Sequence, residues 1–184
     1  MLERTFIHIP GVGPQTERGL WRCGIAGWRE ALAASAPARG FSPARWEALR
    51  SHAAESLSSL QRTDHRYFAD VLPASYHWRA WPAFRRRTAY VDIETDGGFG
   101  RNAITIVGIY DGQRVKSYVR GDNLQDAAEE LGRYSLLVTF NGANFDLPFL
   151  RRACPGVDWS HMHIDLRFAL KQLGYSGGLK RVEK

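Results

Sequence analysis

Cysteine and lysine are scarce in this chain of 184 residues, which has two Cys and 4 Lys against 21 Arg. Cys23 and Cys154 lie far apart and lack the paired spacing of metal ligands, so free thiols in a cytosolic protein are the plain expectation. No apolar run approaches the ~18 residues needed to cross a bilayer. The opening segment, MLERTFIHIPGVGP, has no long apolar centre of the kind a secretion signal needs. The expected location is cytoplasmic, with no membrane partner. Repeats, low-complexity tracts and compositions typical of disorder are also missing. What remains is 44% hydrophobic residues, enough for a core in one medium domain or a domain with a helical appendage.

The net charge of +6 is unevenly placed. Residues 1–89 carry 13 Arg against seven acids, whereas residues 90–184 carry 12 Lys or Arg against 12 acids. All the excess positive charge therefore lies in the first half. A basic part joined to a part with clustered carboxylates suits a protein that holds a polyanion and acts on it with metal ions. A preference for Arg over Lys also follows from a GC-rich genome, so charge alone leaves the nucleic-acid reading open.

The first part reads as helical. A Gly-rich turn leads into a helix starting near Pro14, where proline is tolerated because the first N–H groups are unpaired. WREALAAS gives a short helix. Ser42 is placed to cap a longer one, in which Trp46, Leu49, Ala53 and Leu57 recur at helical spacing. DHRYFADVL adds another, and SYHWRAWPAFRRR reads as an irregular, aromatic and basic connector. The boundary is expected near residue 80, dividing a basic helical region (1–80) from a second domain (81–184).

There the period changes. TAYVDIE and AITIVGIY read as buried strands, and the Asp111-Gly112 pair is a hairpin turn leading into QRVKSYV. NLQDAAEELGR is a helix expected to be capped by Asn123, with Gly132 near its end. SLLVTF is a strand, NFDLPFLRRA a helix capped by Asn144, HMHIDL a strand and RFALKQLG a helix. The order is three strands, helix, strand, helix, strand, helix.

Two acids sit in the first of these strands. Residues i and i+2 share a strand face, so Asp92 and Glu94 stand side by side while Val91 and Ile93 pack beneath. Adjacent carboxylates repel unless a cation lies between them, and hard oxygen donors suit Mg²⁺ or Mn²⁺. An exposed acid pair at a strand end is the plainer alternative. A second stretch, TFNGANFDLPFL (139–150), puts Asp146 in the first turn of a helix after a buried strand. Phe145 beside it is expected to pack in the core. Alone, Asp146 is explained as a complement to the helix dipole.

Together, DIET and FNGANFDLPFL resemble the first and second exonuclease motifs of the DEDD (DnaQ-like) 3′–5′ exonuclease superfamily. HIPGVGPQTERGLW, HWRAWPAF and HIDLRFAL with GGLKRVEK are similar to the YprB-type ribonuclease H-like proteins, over nearly the whole chain. The resemblance implies an α/β fold, a ribonuclease H-like mixed sheet flanked by helices. It also implies two-metal hydrolysis of nucleic-acid phosphodiesters, usually at 3′ ends or on single strands of DNA or RNA. Asp92 would bridge two Mg²⁺ or Mn²⁺ ions, Glu94 would complete one of them, and Asp146 would act largely through water. Thr95 and Asn141 would lie beside the nucleic-acid cleft.

The chain departs from that pattern at its end. The superfamily has a fourth acid on a later helix, preceded by a His or Tyr. After Asp146 the acids are Asp158, Asp165 and Glu183. His161 and Asp165 have a His-x-x-x-Asp spacing that mimics one version of the motif, but Asp165 falls on the predicted fifth strand. There it is expected to cap the following helix or support the cleft, and His163 to pack or face solvent. The domain is therefore expected to be C-terminally incomplete, binding metal weakly.

IPGVGPQTERGLW resembles the hairpin and second helix of a helix-hairpin-helix element. Gly11 and Gly13 would turn backbone N–H groups toward a phosphate, with Arg18 nearby. A simple Gly-Pro turn is the competing reading, and Arg18 and Arg22 are then a solvated face. Arg85 to Arg87 either reach substrate or form the charged entrance to the first strand. A metal-dependent exonuclease is thus the leading expectation. A non-catalytic nucleic-acid-binding module on the same fold is the alternative, and a protein-binding scaffold a third.

Overall fold

The computed structural model describes residues 1–98, 100 and 102–182. They fall into two compact units, one running from Met1 to Ala83 and the other starting at Phe84.

The first unit is helical. A 3-10 turn, Leu2–Arg4, precedes α1 (Pro14–Arg22), α2 (Trp28–Ala33), α3 (Pro43–Gln61) and α4 (His65–Val71). Ser42 caps α3 by accepting the Arg45 N–H, and Asp64 caps α4 by accepting that of Tyr67. The segment expected to be an irregular connector is instead wound into turns. A 3-10 helix covers Ala74–Ala80, α5 covers Trp81–Phe84, and Arg85–Arg87 form a last 3-10 turn. Its aromatic residues are only partly used inside: Phe84 is buried, as are Ala80 and His77, whereas Trp78 and Trp81 are exposed.

The core of this unit is built on Phe6, Leu20, Trp28, Leu49 and Phe68, with Trp28 stacked on Phe68 at 6.1 Å. The buried stripe of α3 departs from expectation. Trp46, Leu49 and Ala53 are inside, but Ser56 and Ser59 continue the stripe while Leu57 is only half-buried. The reason is polar: Ser56 Oγ lies 2.8 Å from His8 Nε2 and 3.0 Å from the Tyr67 hydroxyl, so its burial leaves no orphaned group. Glu17 is also buried. It accepts the N–H groups of Phe6 and Ile7 and pairs with Arg79 at 2.8 Å, so a charge in the interior ties the N-terminal segment to α1.

The second unit is a five-stranded sheet with strand order β3-β2-β1-β4-β5. Its strands are β1 (Thr88–Thr95), β2 (Ile104–Tyr110), β3 (Val115–Val119), β4 (Leu136–Thr139) and β5 (Met162–Asp165). β2 runs antiparallel to β1 and β3, while β1, β4 and β5 are parallel, so the sheet is mixed. The order along the chain is the one expected. α6 (Ala127–Leu131), preceded by a 3-10 turn at Leu124–Asp126, and α7 (Asp146–Ala153) cover one face. α8 (Leu166–Gln172) and α9 (Leu179–Val182) follow β5. The core lies between that face and the helices: Val91, Ile93, Val107, Ile109 and Leu137 meet Leu131, Leu147 and Leu150.

Two expected caps are different. Asn123 precedes the helical segment but makes no side-chain cap; its Oδ1 accepts the Val119 N–H and its amide donates to the Ser117 carbonyl, closing the end of β3. α7 starts one residue later than expected, with Phe145 in the cap position and Asn144 turned to Asn141.

Candidate active site at the carboxyl end of the parallel strands

In an open sheet with parallel strands, the loops beyond the carboxyl ends are where ligands bind, because helix starts and strand ends converge there. In this chain the converging segments are the end of β1, the loop from β4 to α7, and the junction of β5 with α8.

β1 alternates strictly: Val91 and Ile93 are buried, while Tyr90, Asp92 and Glu94 point to the other face and are exposed. The two acids are therefore neighbours on one face, as their spacing requires. Tyr90 pairs across the sheet with Tyr110, Asp92 with Gly108 and Glu94 with Ile106. The Tyr90 and Tyr110 rings lie 5.8 Å apart. Opposite Asp92, Gly108 has no side chain, and a Cβ there would meet nothing closer than the Asp92 carbonyl at 3.7 Å. The register shifts between Glu94 and Thr95, and such an irregularity bends the strand just beyond the acids. Thr95 lies past that bend, partly exposed.

Asp146 comes to the same strand from α7. It is 2% exposed, and its Oδ1 accepts the backbone N–H of Ile93 at 3.1 Å, between Asp92 and Glu94. Burial pushes the Asp146 carboxyl up to about 6, and the charges of Asp92 and Asp165 add to the rise, against hydrogen bonds from its own and the Ile93 N–H. Asp92, though exposed, is also raised, first by partial desolvation against the sheet and then by the charge of Glu94. Asp92, Glu94 and Asp146 thus form one electrostatically coupled set.

The loop between β4 and α7 is shaped by a close approach. A Cβ on Gly142 would lie 2.1 Å from Thr139 Oγ1, which accepts the Gly142 N–H at 3.1 Å and lies 2.9 Å from His163 Nε2. Asn141 holds a left-handed backbone with φ of 65°. Asp165 fixes both residues' neighbourhood: its carboxylate accepts the N–H groups of Asn141, Ala143 and Arg167, the last as the cap of α8. Its expected capping role is thus its geometry here. Asn141 Oδ1 in turn accepts from Arg167 and Asn144.

His161 stands elsewhere. Met162 pairs with Leu136 and Leu136 with Thr88, so His161 lies at the amino end of the parallel strands, with Nε2 3.0 Å from the Leu131 carbonyl. It is not brought to the acids, and the His-x-x-x-Asp spacing spans the sheet rather than a helix face. Arg85–Arg87 lie at that same amino end, before β1. Phe145 does not join the core: it is 39% exposed, with its ring 5.0 Å from Phe149. Its place at the helix cap, outside the first turn, turns it outward. Glu183 lies outside the described residues.

Arg167 is not among the residues that the sequence motifs single out. Its guanidinium is exposed and, with Phe140, Asn144 and Lys171, lines a cavity of about 360 Å³ next to the loop. An Arg in the first turn of the helix after Asp165 is the one signal that points to it. In the helical unit, Gly11 is exposed with φ of 76°, and its carbonyl accepts from Arg45. Gly13 occupies the cap position of α1, and Arg18 is exposed on that helix.

The donor set can be judged against a metal ion by its chemistry. Three electrostatically coupled carboxylates, two with raised pKa, suit a hard divalent cation that would relieve their repulsion. The geometry is more open than the chemistry: among the described residues no three His, Cys, Asp or Glu side chains already surround one point. One oxygen of Asp146 is engaged by Ile93 instead.

No curated protein and no solved structure matches the chain. Residues 89–184 match a family model described as the RNase_H superfamily. That match covers all five strands but for Thr88, with α6 to α9, so the mixed sheet flanked by helices is ribonuclease H-like as expected, and the chain belongs to the RNase_H superfamily.

Proposed function

We propose that this protein is a metal-dependent nuclease of the DEDD exonuclease type, hydrolysing phosphodiester bonds of DNA or RNA. One observation carries the reading: Asp146 is buried against the backbone between Asp92 and Glu94, at the carboxyl end of the parallel strands of a ribonuclease H-like sheet. Asp92, Glu94 and Asp146 would hold Mg²⁺ or Mn²⁺. When bound, such an ion supplies Lewis-acid stabilisation of the charge that develops on a phosphate under attack.

The chain's own residues do the rest. Asp92 and Glu94 are open to the solvent face, where a scissile phosphate can approach, and Gly108 leaves that approach clear. Asp146, buried and tied to the Ile93 N–H, would act at the site largely through water. Arg167 and Lys171 offer positive charge to a neighbouring phosphate, with Arg167 tied to Asn141 Oδ1, and Asn141 and Thr95 would flank the opening. Asp165 holds the loop rather than meeting substrate.

The test is cleavage of end-labelled oligonucleotides with Mg²⁺ or Mn²⁺, comparing the protein with Asp92→Asn. Metal-dependent products that vanish in the variant support the reading; identical products from both proteins, or none with any divalent ion, reject it. A second reading, a nucleic-acid-binding module without catalysis, is favoured by the open geometry of the carboxylates. It predicts binding that Asp92→Asn leaves intact and no cleavage.

A further inference from the structure

The helical unit contains a concave surface with an unusual charge. Thr16, Gly19 and Arg22 of α1 face Arg39, Phe41 and Arg45 across a cavity of about 520 Å³. No acid lines it. Elsewhere in this unit Arg29, Arg50 and Arg79 each pair with a glutamate, whereas Arg22, Arg39 and Arg45 have no carboxylate partner among the described residues. Three guanidiniums lining one groove with no acid among them favour an anion there.

The groove is also built, not merely charged. Arg45 is held in place by a 2.6 Å hydrogen bond to the Gly11 carbonyl and lies 4.6 Å over the Phe41 ring. That leaves a fixed cation-and-ring platform beside the more freely exposed Arg22 and Arg39. Gly19 adds no side chain to the floor, and a Cβ there would meet nothing within 4 Å. Gly40, with φ of 87°, turns the backbone between Arg39 and Phe41.

We infer that this groove is a nucleic-acid-binding site in its own right, separate from the carboxylates. Arg22 and Arg39 take successive phosphates of a single strand, and the Arg45–Phe41 platform receives a base. Alternating cations beside a half-buried ring, with the flat guanidinium of Arg45 over that ring, match a sugar-phosphate chain with flat bases, whereas an acidic polypeptide would use the cations alone. The site rests on the charge and shape of the groove; only the choice of nucleic acid among anions leans on the nuclease reading. It adds affinity for nucleic acid without taking part in the chemistry.

The experiment is equilibrium binding of a fluorescein-labelled single-stranded oligonucleotide to the full chain in EDTA, read by anisotropy over a series of salt concentrations. The doubly reversed variant Arg22→Glu/Arg39→Glu should bind at least about tenfold more weakly, with the slope of log K against log salt reduced by about 1.4, ~0.7 for each phosphate that is no longer neutralised. Circular dichroism melting checks that the variant is folded; should it not fold, Arg39→Ala, a change at an exposed residue, gives the single-cation version of the same readout. Unchanged affinity and slope in a folded variant overturn the inference, as does tighter binding of poly-L-glutamate than of the oligonucleotide. Because EDTA prevents metal-dependent cleavage, the two proposals fail separately. Arginine-dependent binding without any nuclease activity leaves the groove standing and removes the enzyme, and cleavage with arginine-independent binding does the reverse.

Discussion

The backbone N–H of Ile93, held between two exposed acids, donates to Oδ1 of Asp146 across 3.1 Å. This contact joins the two acidic stretches of the sequence and makes Asp146 both a structural acceptor and a buried charge. The folded pKa, about 6, exceeds the ordinary 3.8. Stability from this group is therefore full below pH 3.8 and is lost as pH rises through 6, by about 3 kcal/mol for ~2 units. Asp146→Asn keeps an acceptor for Ile93 without the charge. It should be more stable than the wild type in urea at pH 7.5, with the gap closing near pH 4, while metal-dependent cleavage is lost. Asp146→Ala, which strands the Ile93 N–H, should be less stable than Asp146→Asn by about 1–3 kcal/mol. Equal urea midpoints for wild type and Asp146→Asn at both pH values would show that the carboxylate is not under the strain described.

Gly142 tests the shape of the loop. Its hydrogen sits where a methyl carbon would be 2.1 Å from Thr139 Oγ1. Gly142→Ala must displace either the threonine or the loop, at about 1–3 kcal/mol. Thermal unfolding should show a lower midpoint, and Thr139→Ser/Gly142→Ala should recover part of it, since the methyl of Thr139 is among the clashing atoms. No recovery in the double variant would locate the conflict elsewhere.

Asp165 separates support from ligation. Its two oxygens accept three backbone N–H groups, from Asn141, Ala143 and Arg167. Hydrogen bonds to a charged acceptor are among the stronger ones, so Asp165→Ala should lose about 3 kcal/mol in urea denaturation. Asp165→Asn, folded in a binding buffer, should keep a Mg²⁺ activation midpoint close to that of the wild type. A large rise in that midpoint would make Asp165 a ligand and contradict its assignment as the tie of the loop.

His8 supplies an acid-sensitive point in the helical unit. Burial, with a smaller contribution from His52, lowers it from 6.5 to about 4. A depressed histidine contributes stability above pH 6.5 that is lost as pH falls through 4, here about 3 kcal/mol for ~2.5 units. His8→Gln, which can still bond to Ser56, should flatten the decline in stability between pH 6.5 and 4. Melting curves over that range decide it: parallel declines for both proteins would place the acid sensitivity on other groups.

The fold is legible in the sequence wherever one period rules. Strict alternation around Val91 and Ile93 places Asp92 and Glu94 together on the outer face, and the Asp111-Gly112 turn fixes the hairpin. The sequence could not show that Ser56 would replace Leu57 inside, because the reason is a partner forty-eight residues away, His8. Nor could it separate Asn144 from Phe145 as the start of α7, since Asn144 bonds to Asn141 in a loop conformation that periodicity does not encode. Asp165 reads as a cap from its place before Leu166, but its grip on Asn141 and Ala143 follows only from the parallel pairing of β4 with β5. His161 misleads for the matching reason: four residues along a strand carry a side chain to the far end of a sheet, not around one helical turn.

The missing side chain at Gly108 has a consequence of its own. Packing does not demand it, since the nearest atom to an added methyl would be an ordinary contact distance away. What glycine secures is a lane over Asp92, bordered by the exposed rings of Tyr90 and Tyr110 on one side and by Ile106 on the other. A leucine at that position would fence the acid off while leaving the strand intact, turning an accessible carboxylate into a spectator.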